Sequence, residues 1–108
     1  METLEIRLLG DLEVLRGGSR QSLPPSRKTR ALLAYLALQP RKFRREHLCE
    51  LLWEVPDDPR GSLRWSLSKL RRIVDDADCQ RIVADRAFVR FDPSNVEIDV
   101  VALRDLVG

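Results

Sequence analysis

Five basic side chains and no acidic one lie between Arg60 and Arg72, a concentration of charge that could bind a polyanion. The apolar residues of this part of the chain recur at intervals of four, three and four: Leu63, Leu67, Leu70 and Val74. At about 100° per residue they form one narrow stripe of an α-helix, which leaves the opposite face to the basic residues. The pattern is typical of a helix that lies in a nucleic-acid groove, although a solvated surface helix with unbalanced charge shows it too.

The ends of this helix are well specified, from Pro59 to Val74. Asp58 can cap the N-terminus, and proline suits the first helical position because no N–H is needed there. The face opposite the apolar stripe carries Arg64, Trp65, Ser68, Lys69 and Arg72. An exposed tryptophan is costly unless something covers it. A base edge, a thymine methyl, a partner protein or a neighbouring segment of the chain could do so.

Elements that could support this helix precede it. Alternating apolar and polar residues, separated by Gly10-Asp11 and Gly17-Gly18, predict a small antiparallel sheet of about three strands, near residues 4–8, 12–15 and 20–23. A helix is predicted over 27–38, after a capping Ser26 and before Pro40. Its expected apolar face is Ala31, Leu32, Tyr35, Leu36 and Leu38.

Basic residues crowd the first turn of the 27–38 helix, at Arg27, Lys28 and Arg30. Positive charge is unfavourable at that end of the helix dipole. A nearby phosphate would relieve the conflict, and simple tolerance at a few tenths of a kcal/mol per charge explains it equally well.

A second helix is predicted from about Arg45 to Trp53, with Leu48, Leu51 and Leu52 inward. A loop that contains two prolines connects it to the basic helix. Two helices with apolar faces, the second with a basic outer face, form a helix-turn-helix with a long turn.

The part that follows the basic helix predicts a hairpin. Asp75, Asp76 and Asp78 suggest a solvated turn, because they lack the ligand spacing of a calcium loop. Strands are expected over 80–84 and 88–91, with Arg86 at the tip of the bend. A hairpin in this position is a wing, and Arg86 could enter a minor groove, touch a phosphate or be an ordinary solvated arginine. A short extended piece at 96–98 and a helix over 100–107 complete the chain.

Composition excludes several other classes. The chain has 108 residues, a net charge of +2 and two cysteines, which suits one soluble domain of a reducing cytoplasm without a disulfide framework or metal set. His47 and Cys49 lie two apart on a helix and point to different faces, so they are not expected to form a catalytic pair. Cys49 is expected in or near the core. No nucleophile with a matching base, glycine-rich phosphate loop, signal peptide or membrane-length apolar run is present, and neither an enzyme nor a cofactor is expected.

Four segments together resemble one known family. They are 4–15 (LEIRLLGDLEVL), 25–38 (PSRKTRALLAYLAL), 46–53 (EHLCELLW) and 62–72 (SLRWSLSKLRR). They are similar to the N-terminal DNA-binding domain of the Streptomyces antibiotic regulatory protein family, over about residues 2–107. The chain departs from the family at Arg44, where a Ser or Thr cap is usual, at Trp65, and in a wing without glycine.

The resemblance implies an α+β fold, a winged helix-turn-helix of the response-regulator type with three helices and a C-terminal hairpin wing. It implies a winged-helix domain over 1–95, and in 96–108 a short helix at the junction with a helical activation domain that is absent. It also implies a transcriptional activator that binds direct repeats in double-stranded DNA, as a monomer or weak dimer in tandem, and recruits RNA polymerase, with no membrane partner.

Residue roles follow from the same resemblance. The positions that match base contacts are Arg64, Trp65, Ser68 and Lys69. Those that match phosphate contacts are Arg60, Arg71 and Arg72, with weaker cases at Arg27 and Lys28, and the matching wing residue is Arg86. The alternative is a winged-helix protein-interaction module that docks a partner through Trp65 and the basic face without specific DNA binding.

Overall fold

The structure is a computed structural model and describes residues 3–53 and 58–100. Its helices are α1 (Arg27–Leu38), α2 (Arg45–Leu52) and α3 (Pro59–Val74). Its strands are β1 (Leu4–Arg7), β2 (Glu13–Arg16), β3 (Ser19–Arg20), β4 (Phe43–Arg44), β5 (Ile82–Ala84), β6 (Phe88–Phe91) and β7 (Val96–Ile98). The helix predicted over 100–107 falls almost wholly outside the described residues.

The N-terminal sheet has four strands in the order β3-β2-β1-β7. The first three pair antiparallel, as predicted, and the tight turn between β2 and β3 uses Gly17 and Gly18 at positive φ. The third strand is shorter and earlier than the predicted 20–23. The fourth strand, β7, runs parallel to β1 and was predicted only as an extended piece. The Asp99 carboxylate fixes the end of β7 by accepting hydrogen bonds from the backbone N–H groups of Leu8 and Leu9.

Helix α1 has the predicted bounds and the predicted cap, since the Ser26 side chain accepts from Thr29 N. Its buried face differs from the predicted one: it consists of Thr29, Leu32, Leu33, Leu36 and Ala37, while Ala31 is exposed. The buried face begins with a polar residue, Thr29, which hydropathy alone does not assign to a core. Thr29 is buried because its hydroxyl lies 2.8 Å from that of Ser66 on α3, which joins the two helices.

Helix α2 ends one residue before the predicted Trp53 and packs through Leu48, Cys49 and a partly buried Leu52. The expectation that Leu51 points inward is wrong, since 45% of this residue is exposed. Cys49 lies in the core, as predicted.

Helix α3 has the predicted bounds, cap and apolar stripe. Leu63, Leu67, Leu70 and Val74 are at most 2% exposed, and the Asp58 side chain accepts from Gly61 N. Burial of a leucine or valine side chain contributes about 1.5–3 kcal/mol, so this stripe fixes which face of α3 points outward.

The C-terminal sheet contains the predicted hairpin, β5 and β6, and a third strand that was not predicted. Strand β4 pairs antiparallel with β6 and leads directly into α2. A small N-terminal sheet, three helices and a three-stranded sheet that ends in a hairpin form an α+β winged-helix fold.

A buried arginine, Arg81, precedes the hairpin. The prediction of a solvated acidic turn is wrong for Asp75 and Asp76, which bind groups within the chain. Arg81 is fully buried; its guanidinium donates to Val74 O at 2.6 Å and to the Asp76 carboxylate at 2.8 Å. Asp76 also pairs with Arg16 of β2. The neighbouring Asp75 accepts from the backbone N–H groups of Arg81 and Ile82. The acidic turn therefore ties the end of α3 to both sheets.

We expect Asp76→Ala to destabilise the domain by about 3–5 kcal/mol, because it leaves the buried Arg81 charge without its carboxylate. Urea unfolding followed by circular dichroism measures this loss. Asp78→Ala is the matched control, since Asp78 is exposed and makes no ion pair within the described residues. Equal small losses in the two variants would show that Asp76 contributes no more than a surface charge.

Candidate nucleic-acid interface

The outer face of α3 combines several of the predicted contact residues. Arg64, Trp65, Ser68, Arg71 and Arg72 are exposed and Lys69 is half-buried, opposite the buried stripe. None of the basic residues among these six forms a salt bridge within residues 3–53 and 58–100. Arg60 is exposed too and pairs with the exposed Glu46 at 3.1 Å. The face is therefore strongly electropositive, with charges that are accessible to a large anion.

One flank of this face opens into a cleft against the hairpin, here called the wing cleft. It is lined by Arg45, Arg60, Leu63, Arg64, Ala84, Asp85 and Arg86. Four arginines and one aspartate thus border a single depression. The structure brings the predicted phosphate residue Arg60, the predicted base residue Arg64 and the predicted wing residue Arg86 to the same place.

The hairpin bend is built by Asp85, which replaces the missing glycine. Its carboxylate accepts from Ala87 N at 2.8 Å and from Phe88 N at 2.7 Å, and its N–H donates to Phe88 O. The N–H groups of Phe88 and Ala87 lower the pKa of the Asp85 carboxyl below its ordinary value, so the acceptor is ionised at neutral pH. The bend places Arg86 at the exposed tip, as predicted.

Arg45 attaches the bend to the helices. Its backbone N–H donates to Ala87 O at 2.9 Å, and its side-chain Nε donates to Asp85 O at 2.7 Å. The first contact satisfies an N–H at the start of α2, where the preceding Arg44 offers no side-chain cap. Arg45 is a site residue that was not predicted; the basic run from 41 to 45 was the only signal for it in the sequence.

The other flank of the outer face of α3 turns towards the N-terminus of α1. Trp65 is 49% exposed and borders a groove with Ser26, Trp53 and Ser62. The Lys69 Nζ lies 5.3 Å from the centre of the Trp65 ring, a cation–π contact. The predicted base residues are thus divided, with Arg64 beside the wing and the Trp65–Lys69 pair beside α1.

The first turn of α1 has two exposed cations and one engaged cation. Arg27 and Lys28, the weaker predicted phosphate contacts, are exposed and therefore accessible to an anion. Arg30 is engaged within the chain, because its guanidinium donates to the carbonyl oxygens of Pro24 and Pro25 at 3.0 Å each.

The remaining polar groups form no catalytic or metal arrangement among the described residues. The Nε2 of the exposed His47 lies 3.3 Å from the Tyr35 hydroxyl, and its ring stacks on Phe43. Burial raises the pKa of the Cys49 thiol, which disfavours the reactive thiolate. Across residues 3–53 and 58–100 no helix is long and apolar enough to cross a membrane.

Comparison with known proteins gives one informative similarity. No protein-family model and no curated protein sequence matches the chain. A solved structure of Mycobacterium tuberculosis EmbR in complex with a low-affinity phosphopeptide matches with a TM-score of 0.72 and 26% sequence identity. The match covers 89% of this chain and 27% of the EmbR chain, so this chain spans about a quarter of EmbR. EmbR is a transcriptional regulator of the Streptomyces antibiotic regulatory protein family. The similarity supports the winged-helix fold of this chain.

We expect Asp85→Ala to loosen the bend, because the Ala87 and Phe88 amides lose their acceptor. Amide hydrogen exchange at these two residues, followed by NMR, should become faster while exchange in α1 and α3 stays unchanged. Asp85→Asn is the control, since its amide oxygen can still accept both bonds. Unchanged exchange in Asp85→Ala would show that the Arg45 contacts hold the bend without this carboxylate.

Proposed function

We propose that this chain is a sequence-specific DNA-binding domain of a transcriptional regulator. In this proposal, α3 enters the major groove and the hairpin wing, 80–91, contacts the adjacent minor groove or backbone. The single observation that carries the proposal is the outer face of α3, whose basic residues are accessible and free of acidic neighbours on the helix. The similarity to EmbR supports the same class.

The two flanks of α3 suit the two strands that border a major groove, which is about 12 Å wide. On one flank, the wing cleft offers Arg45, Arg60 and Arg86 to the backbone of one strand. On the other flank, Arg27 and Lys28 at the start of α1 face the backbone of the opposite strand. Phosphate contacts of this kind fix the register of a protein on DNA, and base contacts supply the sequence preference.

Four side chains are then available for base edges, namely Arg64, Trp65, Ser68 and Lys69. Arg and Lys pair well with guanine, a serine hydroxyl can donate or accept, and an indole ring can contact a thymine methyl. Arg71 and Arg72, near the C-terminal end of α3, are assigned to phosphates.

The partners follow the same proposal. The domain binds direct repeats as a monomer or weak dimer in tandem, recruits RNA polymerase as an activator, and works in the cytoplasm. Residues 96–108 lead towards a helical activation domain. In the structure, β7 at 96–98 pairs with β1, and this pairing couples the proposed junction to the winged helix.

The first test is a fluorescence-anisotropy titration against random-sequence duplex DNA at low and at moderate salt, with tryptophan emission recorded in parallel. We expect binding that weakens steeply with salt, since phosphate contacts release counterions, and a change in the emission of Trp53 and Trp65. Site selection from a random library would follow. No binding at low salt would contradict the proposal.

Lys69→Ala should reduce the preference for the selected site over random DNA by about 1–3 kcal/mol, the amount expected for a good base contact. Competition titrations measure this ratio. An equal loss on all sequences would instead make Lys69 a phosphate contact.

Arg72→Ala should lower the slope of log K against log salt by about one unit, with little effect on sequence preference. Arg45→Ala should do the same, because its terminal Nη groups can bind a phosphate while its Nε donates to Asp85 O. Arg20→Ala on the N-terminal sheet is the single-charge control, because Arg20 is exposed, pairs with Glu13 of β2 and does not line the wing cleft. An unchanged slope would remove the substituted residue from the interface.

The second candidate function is a protein-interaction module. The exposed Trp65 favours it, because the groove that this ring shares with Trp53 and Ser26 could accept an apolar side chain of a partner. Trp65→Ala separates the two functions. Loss of DNA sequence preference supports a base contact, whereas unchanged DNA binding with loss of polymerase binding supports docking of protein.

A further inference from the structure

A second basic surface lies on the solvent side of the wing sheet. Strand alternation places Val89 and Phe91 inward, and Phe88 and Arg90 on the opposite face. Arg44 of β4 lies directly beside Phe88, and Lys42 precedes the same strand. We call Lys42, Arg44, Phe88 and Arg90 the outer wing face.

The cations of this face surround one aromatic ring. The Lys42 Nζ lies 5.7 Å from the centre of the Phe88 ring, and the Arg44 Cζ lies 5.8 Å from it. These contacts hold two long side chains over the sheet and reduce the entropy lost when they bind a ligand. Lys42, Phe88 and Arg90 also line a shallow hollow with Val83, Ala84 and Asp85.

The face carries an excess of accessible positive charge. Lys42 and Arg44 are exposed and Arg90 is half-buried. None of the three forms a salt bridge with a carboxylate of residues 3–53 or 58–100. Asp85 is the one acidic residue of the hollow, and its carboxylate is already committed to the backbone N–H groups of the bend. Three cations and this one carboxylate leave a net positive charge that can attract an external anion.

The position of the face favours DNA as that anion. Ala84 and Asp85 line both the hollow and the wing cleft, so the two basic surfaces meet at the bend, on opposite sides of the hairpin. The outer wing face lies across the hairpin from the wing cleft, so a duplex held by α3 and the cleft would extend past it on the wing side. Phosphates just beyond the wing are then the nearest polyanion.

We propose that Lys42, Arg44 and Arg90 bind the DNA backbone flanking the recognition site on the wing side. This inference rests on the proposed function and extends the binding site beyond α3 and the tip of the wing. The contact is independent of base sequence, since the face offers only cations to the DNA and its Phe88 ring is covered by Lys42 and Arg44. It sets the length of duplex that the domain needs and adds salt dependence without adding sequence preference.

The test compares the wild-type domain with the triple variant Lys42→Gln, Arg44→Gln, Arg90→Gln, on a duplex that carries the site obtained by selection. Glutamine keeps much of each stem and removes the charge. Hydroxyl-radical footprinting reports which sugars of the duplex are protected. The protections that are lost in Arg86→Ala mark the side of the footprint on which the wing lies. Arg20→Ala is the control for loss of charge, and urea unfolding checks that each variant is folded.

We expect the triple variant to lose protections immediately outward of those assigned by Arg86→Ala, while protections around α3 persist. Lengthening the duplex on the wing side should steepen the salt slope of the wild-type protein by about two to three units, at about 0.9 per phosphate, and should leave the slope of the variant unchanged. Lengthening on the other side should give the same result for both proteins.

Two outcomes would overturn the inference. One is an unchanged wing-side footprint and slope in the folded triple variant. The other is an unchanged footprint together with loss of binding to poly-glutamate, which would assign the face to an acidic protein segment. Absence of any footprint with the wild-type protein would count against the proposed function itself and against the inference with it.

Discussion

Burial of the apolar stripe on α3 is the constraint on which the rest of this structure depends. Leu63, Leu67, Leu70 and Val74 can be removed from water in one orientation only, and that orientation turns the basic face outward. The buried hydrogen bond between Thr29 of α1 and Ser66 of α3 adds a polar contact inside the core. This contact disfavours rotation of α3 about its axis. The basic face is therefore presented on a rigid element, as precise recognition of a groove requires.

The wing is positioned by a second set of contacts, and these are polar. The bend depends on the Asp85 carboxylate, and Arg45 joins it to the start of α2. At the other end of the hairpin, Arg81 and Asp76 connect β5 to the end of α3. A hairpin held at both ends keeps the wing cleft in a fixed relation to α3. Arginines on α2, α3 and the wing can then contact one anion together, as the proposed DNA backbone contact requires.

The sequence predicted those parts that follow from local periodicity and capping. Helix α3 and helix α1 have the predicted bounds because proline, caps and apolar spacing all agree. The strands β4 and β7 have two and three residues and each pairs with a distant strand, so local pattern missed β4 and gave β7 only as an extended piece without its partner. Leu51 was misplaced and Thr29 was overlooked for a similar reason: tertiary contacts, not hydropathy alone, decide which face of a helix is buried.

The candidate site shows the same division between local and tertiary information. The outer face of α3 could be assigned from the sequence, because residues on one helix have a fixed angular relation. Its position beside the wing did not follow from local pattern, because Arg45, Arg60 and Arg86 are brought together from three elements, and of these Arg45 was not assigned to the site. The basic run at 41–45 illustrates the consequence. In sequence it is one block of charge, but β4 pairs with β6 and then passes directly into α2. This path sends Arg45 into the wing cleft and Arg44 to the outer wing face. One short strand thus distributes a single basic block to both sides of the hairpin, so that the wing region presents positive charge in two directions.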